Sequence, residues 1–425
     1  MFARTPAEQV LPERSPRSEG RAPRVPGSAP EIWDSCHSSL REPRSITNGP
    51  FSISDFQSPC ANLKSGIENL KLAIGTGARV VRPAGADVTV RAPVALWKLP
   101  FAFVLCLLFL IGSVATRAQE LFEGTADVSL AEVERVYLRG LQYLARNQTA
   151  EGGWTDSQYG SRGGVVALAV LSMLAHGDDP NTGPYSANIR RGLDLVMRNM
   201  NKETGYMGPQ MYDHGFSTLV LAEAYGMVDD PRLGPALEKA VKLIVDSQRR
   251  NPQGSWRYGP DSSDADTTVA GAQMVALFAA RNAGIGVPDE AIRRGLAYYA
   301  RCQSGDGGIG YTGPGGPNQA RTAIGALVMS LAKQKNTVEY QNAAAYLRNA
   351  PGEGNNQYYL YYGAQAFFHM SPEAWRGWNR RNLENLRAIQ APDGSWGGGY
   401  GITFSTAASL LSLALNFRFL PIYER

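Results

Sequence analysis

Gln148-Thr-Ala-Glu-Gly152-Gly-Trp154 decides how this chain folds, because the same stretch returns. It recurs as Gln248 followed by Gly254-Ser-Trp256, as Gln303-Ser-Gly-Asp-Gly307-Gly-Ile309, and as Gln390-Ala-Pro-Asp-Gly394-Ser-Trp396. Weaker copies sit at Gly205-Tyr-Met207 and around Gly354 to Tyr359. Positions 154, 207, 256 and 309 lie 53, 49 and 53 apart, so the unit is about fifty residues long. A fixed period of that size marks a repeat architecture and outranks local propensity in setting the fold. The 307 residues from Gln119 to Arg425 hold about six units.

Two helical patterns flank each copy. Ahead of it runs an amphipathic segment with apolar residues at helical spacing, such as Leu237, Val241, Ile244 and Val245, or Ile292, Leu296 and Tyr299. Behind it runs a segment of Ala, Leu, Val and Gly with few charges: Gly164 to Ala175, Val269 to Ala280, Thr322 to Leu331 and Thr406 to Leu415. A helix that is apolar nearly all round is buried on most sides, whereas the first kind is half exposed. Six inner and six outer helices in alternation close most simply into an all-α (α/α)6 toroid. In that ring the repeated residues are structural. Gln148, Gln248, Gln303 and Gln390 bond frayed carbonyls or the next helix's amides, the glycines permit a tight turn, and Trp154, Trp256 and Trp396 pack between neighbours.

Composition narrows the function. A formal net charge of +4 over 425 residues gives no nucleic-acid footprint. The four cysteines, Cys36, Cys60, Cys106 and Cys302, match neither a zinc spacing nor a disulfide framework, so no metal or other cofactor is expected. Residues 1–90 are rich in Pro, Ser and Arg and hold none of the 19 tyrosines, a composition that reads as a disordered or untranslated extension. In residues 91–118, Arg91 and Lys98 precede the apolar run Leu99 to Ala115, which ends in Thr116-Arg117-Ala118 before Gln119. That pattern predicts a secretory signal peptide, or a membrane anchor at the lower edge of spanning length. The toroid, residues 119–425, is therefore expected to be exported to the cell envelope or beyond, with Cys302 as its one cysteine.

The Gln-x3-Gly-x-Trp signature, with its period and paired helices, resembles the terpenoid cyclase and protein prenyltransferase superfamily, including squalene cyclases. The resemblance covers roughly Leu130 to Arg425. Squalene cyclases carry Asp-x-Asp-Asp-Thr-Ala where this chain has Asp264-Ala-Asp266-Thr267-Thr268-Val269. The resemblance implies that Asp266 is the acid that protonates a double bond and Asp264 its flanking partner, although Thr267 replaces the family's next Asp. Prenyltransferase chemistry is set aside, since Cys302 lacks the Asp-x-Cys zinc pattern and Arg321 stands nearly alone where a diphosphate would need a basic cluster.

Antiparallel helix pairs place all six inner-helix N-termini at one mouth, where their dipoles favour acids and anions. The loops entering those helices carry Asp213 and His214, Asp261, Asp264 and Asp266, Asn318 and Arg321, Tyr358 to Tyr362, and Tyr400 with Thr403. Asp213 and His214 could supply a paired acid and base facing Asp266, while Arg321, Tyr358, Tyr362, Tyr400 and Trp256 could line a ligand site. Asp and Thr at a helix start are equally well accounted for as N-caps.

Three readings follow. The first is a single-barrel cyclase-like isomerase acting on a hydrophobic polyene. The second is a non-catalytic scaffold that holds a lipid, peptide or glycan at the envelope, and the third is a carbohydrate-active enzyme with Asp213 and Asp266 as its carboxylate pair. An apolar cavity under an acidic rim favours the polyene, and a polar mouth lined by aromatic residues favours sugar. A lumen plugged by side chains or by the Phe417 to Tyr423 tail favours the scaffold.

Overall fold

The computed structural model describes residues 128–423, apart from Gln158, Ala350, Pro351, Glu353 and Asn355. The expected extension and apolar leader, residues 1–118, lie outside the described residues. Twelve helices follow in order: α1 (Leu130–Asn147), α2 (Gly163–Leu174), α3 (Ser186–Arg198), α4 (Met211–Ala224), α5 (Leu233–Arg250), α6 (Thr267–Asn282), α7 (Asp289–Cys302), α8 (Gln319–Leu331), α9 (Val338–Asn349), α10 (Gln357–Met370), α11 (Pro372–Ile389) and α12 (Ile402–Ala414). Among the described residues there is no strand, only isolated bridges such as Ile309 with Asn318.

The even-numbered helices form the inner ring. Each packs on the next, from α2 through α4, α6, α8, α10 and α12, and α12 packs back on α2. The odd-numbered helices lie outside, α3 on α2 and so on round to α11 on α10, with α1 against α12. This is the (α/α)6 toroid the repeat demands. Composition explains the sorting: all twelve residues of α2, GGVVALAVLSML, are buried, whereas α1 buries one stripe that includes Val133, Tyr137, Leu141 and Leu144. Small residues let the inner helices approach closely. A Cβ added at Gly271 of α6 would stand 2.2 Å from Ile324 Cγ2 of α8.

The repeated glutamines tie the outer ring together, and their bonding differs in one respect from expectation. Gln148 donates through Nε2 to Gly152 O at 3.0 Å and to Asn188 O of α3 at 3.0 Å. Gln303 does the same to Gly307 O and to Glu339 O of α9, and Gln248 reaches Ala291 O of α7. The backbone partner on the next outer helix is thus a carbonyl, since a carboxamide nitrogen can donate twice, and Gln148 Oε1 accepts in turn from the side chains of Asn188 and Arg191 of α3. Gln390 closes the circle, donating to Val136 O of α1 at 3.0 Å and to Gly394 O at 2.9 Å. The indoles of Trp154, Trp256 and Trp396 are buried and donate to Leu144 O, Ile244 O and Leu386 O at 2.8 to 3.0 Å. Gly152 and Gly394 adopt φ of +99° and +95°, and a Cβ there would meet Arg191 O and Arg139 O of the next outer helix at 2.2 and 2.3 Å. Any other residue would be strained twice over.

Aromatic side chains meet across the lumen. Phe216 of α4 and Tyr361 of α10, on opposite members of the inner ring, approach to 6.2 Å between ring centroids. At the end away from the inner-helix N-termini the chain returns as a tail. Leu420, Ile422 and Tyr423 are buried, Ile422 N–H donates to Glu223 Oε2 at 3.4 Å, and Phe417 meets the Tyr137 ring edge-on at 5.0 Å.

Candidate functional site

The inner helices do begin at a common mouth, and several begin with a side-chain cap. Asn318 accepts from Arg321 N at 2.9 Å and Asn356 from Tyr359 N at 3.1 Å. Asp266 caps α6 most completely: its Oδ1 accepts from Thr268 N and Val269 N, both at 2.8 Å, and from Thr268 Oγ1 at 2.6 Å. Asp266 has no exposed surface, and its Oδ2 accepts from Arg257 Nη1 at 3.2 Å. Burial pushes its carboxyl above the ordinary value, while the Thr268 and Val269 donors and Arg257 work the other way.

Arg257 is the side chain this arrangement holds. Asp264, largely exposed, meets its Nε at 3.4 Å, and its guanidinium lies over the rings of Tyr258 at 4.5 Å and Tyr311 at 5.0 Å. Burial opposes the charge on Arg257, but Asp266, the two tyrosines and Asp264 together raise its pKa. The Tyr258 and Tyr311 hydroxyls share a hydrogen bond of 2.5 Å. Arg321 also lies over the Tyr311 ring, at 5.6 Å, and donates through Nη2 to Gly316 O at 2.7 Å.

Tyrosines extend this cluster around the mouth. Tyr212 hydrogen-bonds Thr268 Oγ1 and lies 6.1 Å from Tyr258, and burial, followed by Asp266, holds its hydroxyl well above the ordinary value. The Tyr358 hydroxyl is raised by burial and then by its neighbours Tyr212 and Asp266. Elsewhere on the rim, Tyr400 packs edge-on to Phe404 at 5.2 Å and is raised by burial and by nearby Tyr159, over which Arg162 lies at 5.1 Å. Asp156 accepts from Thr403 N at 3.0 Å and from its hydroxyl, pinning that part of the rim.

The remaining sequence candidates fall elsewhere. Asp213 is buried in the first turn of α4 and accepts from Gly164 N of α2 at 3.2 Å; burial raises its carboxyl. His214, beside it, faces outward. Its Nδ1 accepts from Met207 N at 3.1 Å, its Nε2 donates to Ala240 O of α5 at 3.1 Å, and burial lowers its pKa to about 4. Both ring nitrogens are engaged by backbone, so the pairing of His214 with Asp266 is not among the contacts formed. Trp256 is enclosed behind the rim, donating to Ile244 O, and reaches Asp266 only through its carbonyl, which accepts from Asp266 N at 3.0 Å. Tyr362 lies wholly inside, between Tyr358 and Tyr361. Cys302 is buried, with burial raising its thiol to about 11, and no metal-binding group of His, Cys, Asp or Glu occurs among the described residues.

Sequence reasoning missed Arg162, Arg257, Tyr159, Tyr212, Tyr258 and Tyr311. A signal was present in the repeat. Every unit has a tyrosine two to five residues after the position that the motif Trp occupies: Tyr159, Tyr212, Tyr258, Tyr311, Tyr358 and Tyr400.

No protein-family model and no curated protein matches this sequence. Among solved structures, an inactive variant of the α-1,6-mannanase GH76A of Salegentibacter sp. HEL1_6, in complex with α-1,6-mannotriose, superposes with a TM-score of 0.52 at 10% identity, covering 68% of this chain and 99% of that one. A family 76 glycoside hydrolase from a bovine Bacteroides thetaiotaomicron strain gives 0.51 at 11% identity, over 68% and 78% of the two chains. The type II terpene cyclase MstE from Scytonema gives 0.48 at 16% identity, over 69% and 100%. What this chain holds in common with the two glycoside hydrolases is the (α/α)6 toroid.

Proposed function

We propose that the toroid is a saccharide-binding scaffold that holds its ligand at the mouth where the inner helices begin. One observation carries this reading: each of the six repeats places a tyrosine at that mouth, and the half-buried Tyr159, Tyr258, Tyr311 and Tyr400 are interspersed there with arginines held over three of the four rings. Aromatic faces pack against the C–H faces of a sugar, and planar guanidiniums donate in pairs to its hydroxyls. Catalysis is less well supported. Glycoside cleavage needs two carboxyl groups facing one bond, yet Asp266 is committed to three donors and to Arg257, while Asp213 bonds the neighbouring helix. A polyene needs an open lumen, and in this one Phe216 meets Tyr361 across the ring while the tail packs against Glu223 at the far end. Export of the protein, through the leader expected in residues 91–118, would place the mouth among envelope glycans.

A specific observation favours the cyclase-like reading as second choice: buried Asp266 is linked through Thr268 Oγ1 to the Tyr212 hydroxyl, a path by which a proton could reach it. One experiment separates the two. The protein is titrated with a panel of neutral oligosaccharides, α-1,6-mannotriose included, and incubated with squalene. Saturable sugar binding, weakened about tenfold or more in Arg257→Ala and in Tyr311→Ala, supports the scaffold. Absence of sugar binding together with squalene turnover that Asp266→Asn abolishes would replace it with the acid catalyst.

A further inference from the structure

One cation at the mouth is left without a counter-charge. Arg257 takes both carboxylates of its cluster, Asp266 at 3.2 Å and Asp264 at 3.4 Å. Arg321, the second guanidinium over the Tyr311 ring, has no carboxylate partner among the described residues. It stands in the first turn of α8 on the side that faces α6, one turn before Ile324, which packs on Gly271. Its Nη2 donates to Gly316 O at 2.7 Å. Nε is sealed from solvent and unpartnered, whereas Nη1, also unpartnered, is the nitrogen that solvent still reaches.

That arrangement is unfavourable as it stands. Arg321 is 6% exposed, and a guanidinium does not give up its proton in a protein. A charge withdrawn so far from water is costly unless an opposite charge meets it. One carbonyl and the face of Tyr311 at 5.6 Å supply part of the compensation. The dipole of α8 works against it, because a cation in the first turn faces the positive end. The same end favours an anion placed beside the arginine.

We infer that the mouth takes an acidic saccharide, with the carboxylate of a hexuronate ring held by Arg321. The assignment rests on the saccharide reading of the mouth and narrows it to a class of ligand. The carboxylate accepts from Nη1 and from the remaining hydrogen of Nη2, a planar pair that matches its two oxygens. It also sits where the helix dipole favours it. Arg257, already balanced by Asp264 and Asp266 and lying over Tyr258 and Tyr311, is left to serve hydroxyls. Arg321 reads charge, and Arg257 with its tyrosines reads the ring.

Isothermal titration of the full chain with the trisaccharides of galacturonate, mannuronate and guluronate tests this. Each is run beside its methyl ester, which keeps the ring and removes the charge, and beside α-1,6-mannotriose. At least one acid should bind about tenfold or more tighter than its ester, an advantage that shrinks as salt is raised. Arg321→Gln should bring the acid-to-ester ratio to about one, Arg321→Lys should restore part of it, and Arg257→Ala should weaken acid and ester alike with the ratio kept. The ester comparison uses the parent protein, so it decides the matter even where a variant does not fold. Neutral sugars bound as tightly as every acid, or a ratio unchanged in Arg321→Gln, would overturn the acidic assignment and leave the saccharide scaffold standing. Binding of no sugar, charged or neutral, would remove the scaffold reading and this assignment with it.

Discussion

His214 shows how much one residue's surroundings decide. An Asp-His pair at a helix start reads as acid and base, but the ring is turned to the α4–α5 interface and held neutral. Its pKa of about 4 lies below the ordinary 6.5, so the stability it contributes is complete above pH 6.5 and is lost as pH falls toward 4. The loss amounts to about 3 kcal/mol. Asp213 and Asp266 act with opposite sign: their raised carboxyls weaken the fold above the ordinary carboxylate range, and that weakening is relieved as pH falls. Thermal melts of the parent and of His214→Gln between pH 7 and 4 should therefore diverge, the parent losing stability faster. Asp213→Asn keeps the acceptor facing Gly164 and removes a charge that burial disfavours. It should raise the Tm at pH 7 by about 2 °C, with the gap closing as the parent's carboxyl protonates. At this scale the sequence was a partial guide. Asp266 and Arg321 were singled out because they stand at helix starts, whereas Arg257 was passed over because its surroundings are assembled only by the fold, from Asp266 and Tyr258 of its own unit and Tyr311 of the next.

Among the elements, the turn between outer and inner helix was the most legible in sequence, because Gln, Gly and Trp each have a single structural reason to recur. Gln390 serves two carbonyls at once, so Gln390→Ala should cost about 2 kcal/mol in denaturant titration. Gly394→Ala combines a φ of +95° with a clash against Arg139 O and should cost more, about 3 kcal/mol or above. Helix limits were close: the apolar run expected from Val269 to Ala280 is the interior of α6, which starts at Thr267 because Asp266 caps it there. The fifth unit was read only as a weak copy. Where the strong copies carry Trp it has Asn356, which caps α10.

At the level of the whole molecule, the repeat count specified the ring, but not what lies inside it. Phe216 and Tyr361 meet across the lumen from units three apart, and the tail reaches Glu223 from 199 residues away, so neither contact is local enough to be read from pattern. Removing residues 417–425 should strip Tyr137 and Glu223 of their cover and lower the Tm, since each large apolar side chain lost from burial is worth about 1.5–3 kcal/mol. The tyrosine mouth lies beyond the Phe216–Tyr361 bridge, so saccharide binding should survive the same truncation, as titration of the shortened protein would show.

The last unit touches the first: Gln390 reaches Val136, and Phe417 rests on Tyr137. A circle closed in this way has no privileged starting point. Linking residue 423 to residue 128 by a flexible tether and cutting the chain afresh in the exposed Gly284–Gly286 loop would yield a circular permutant with every unit still between its original neighbours.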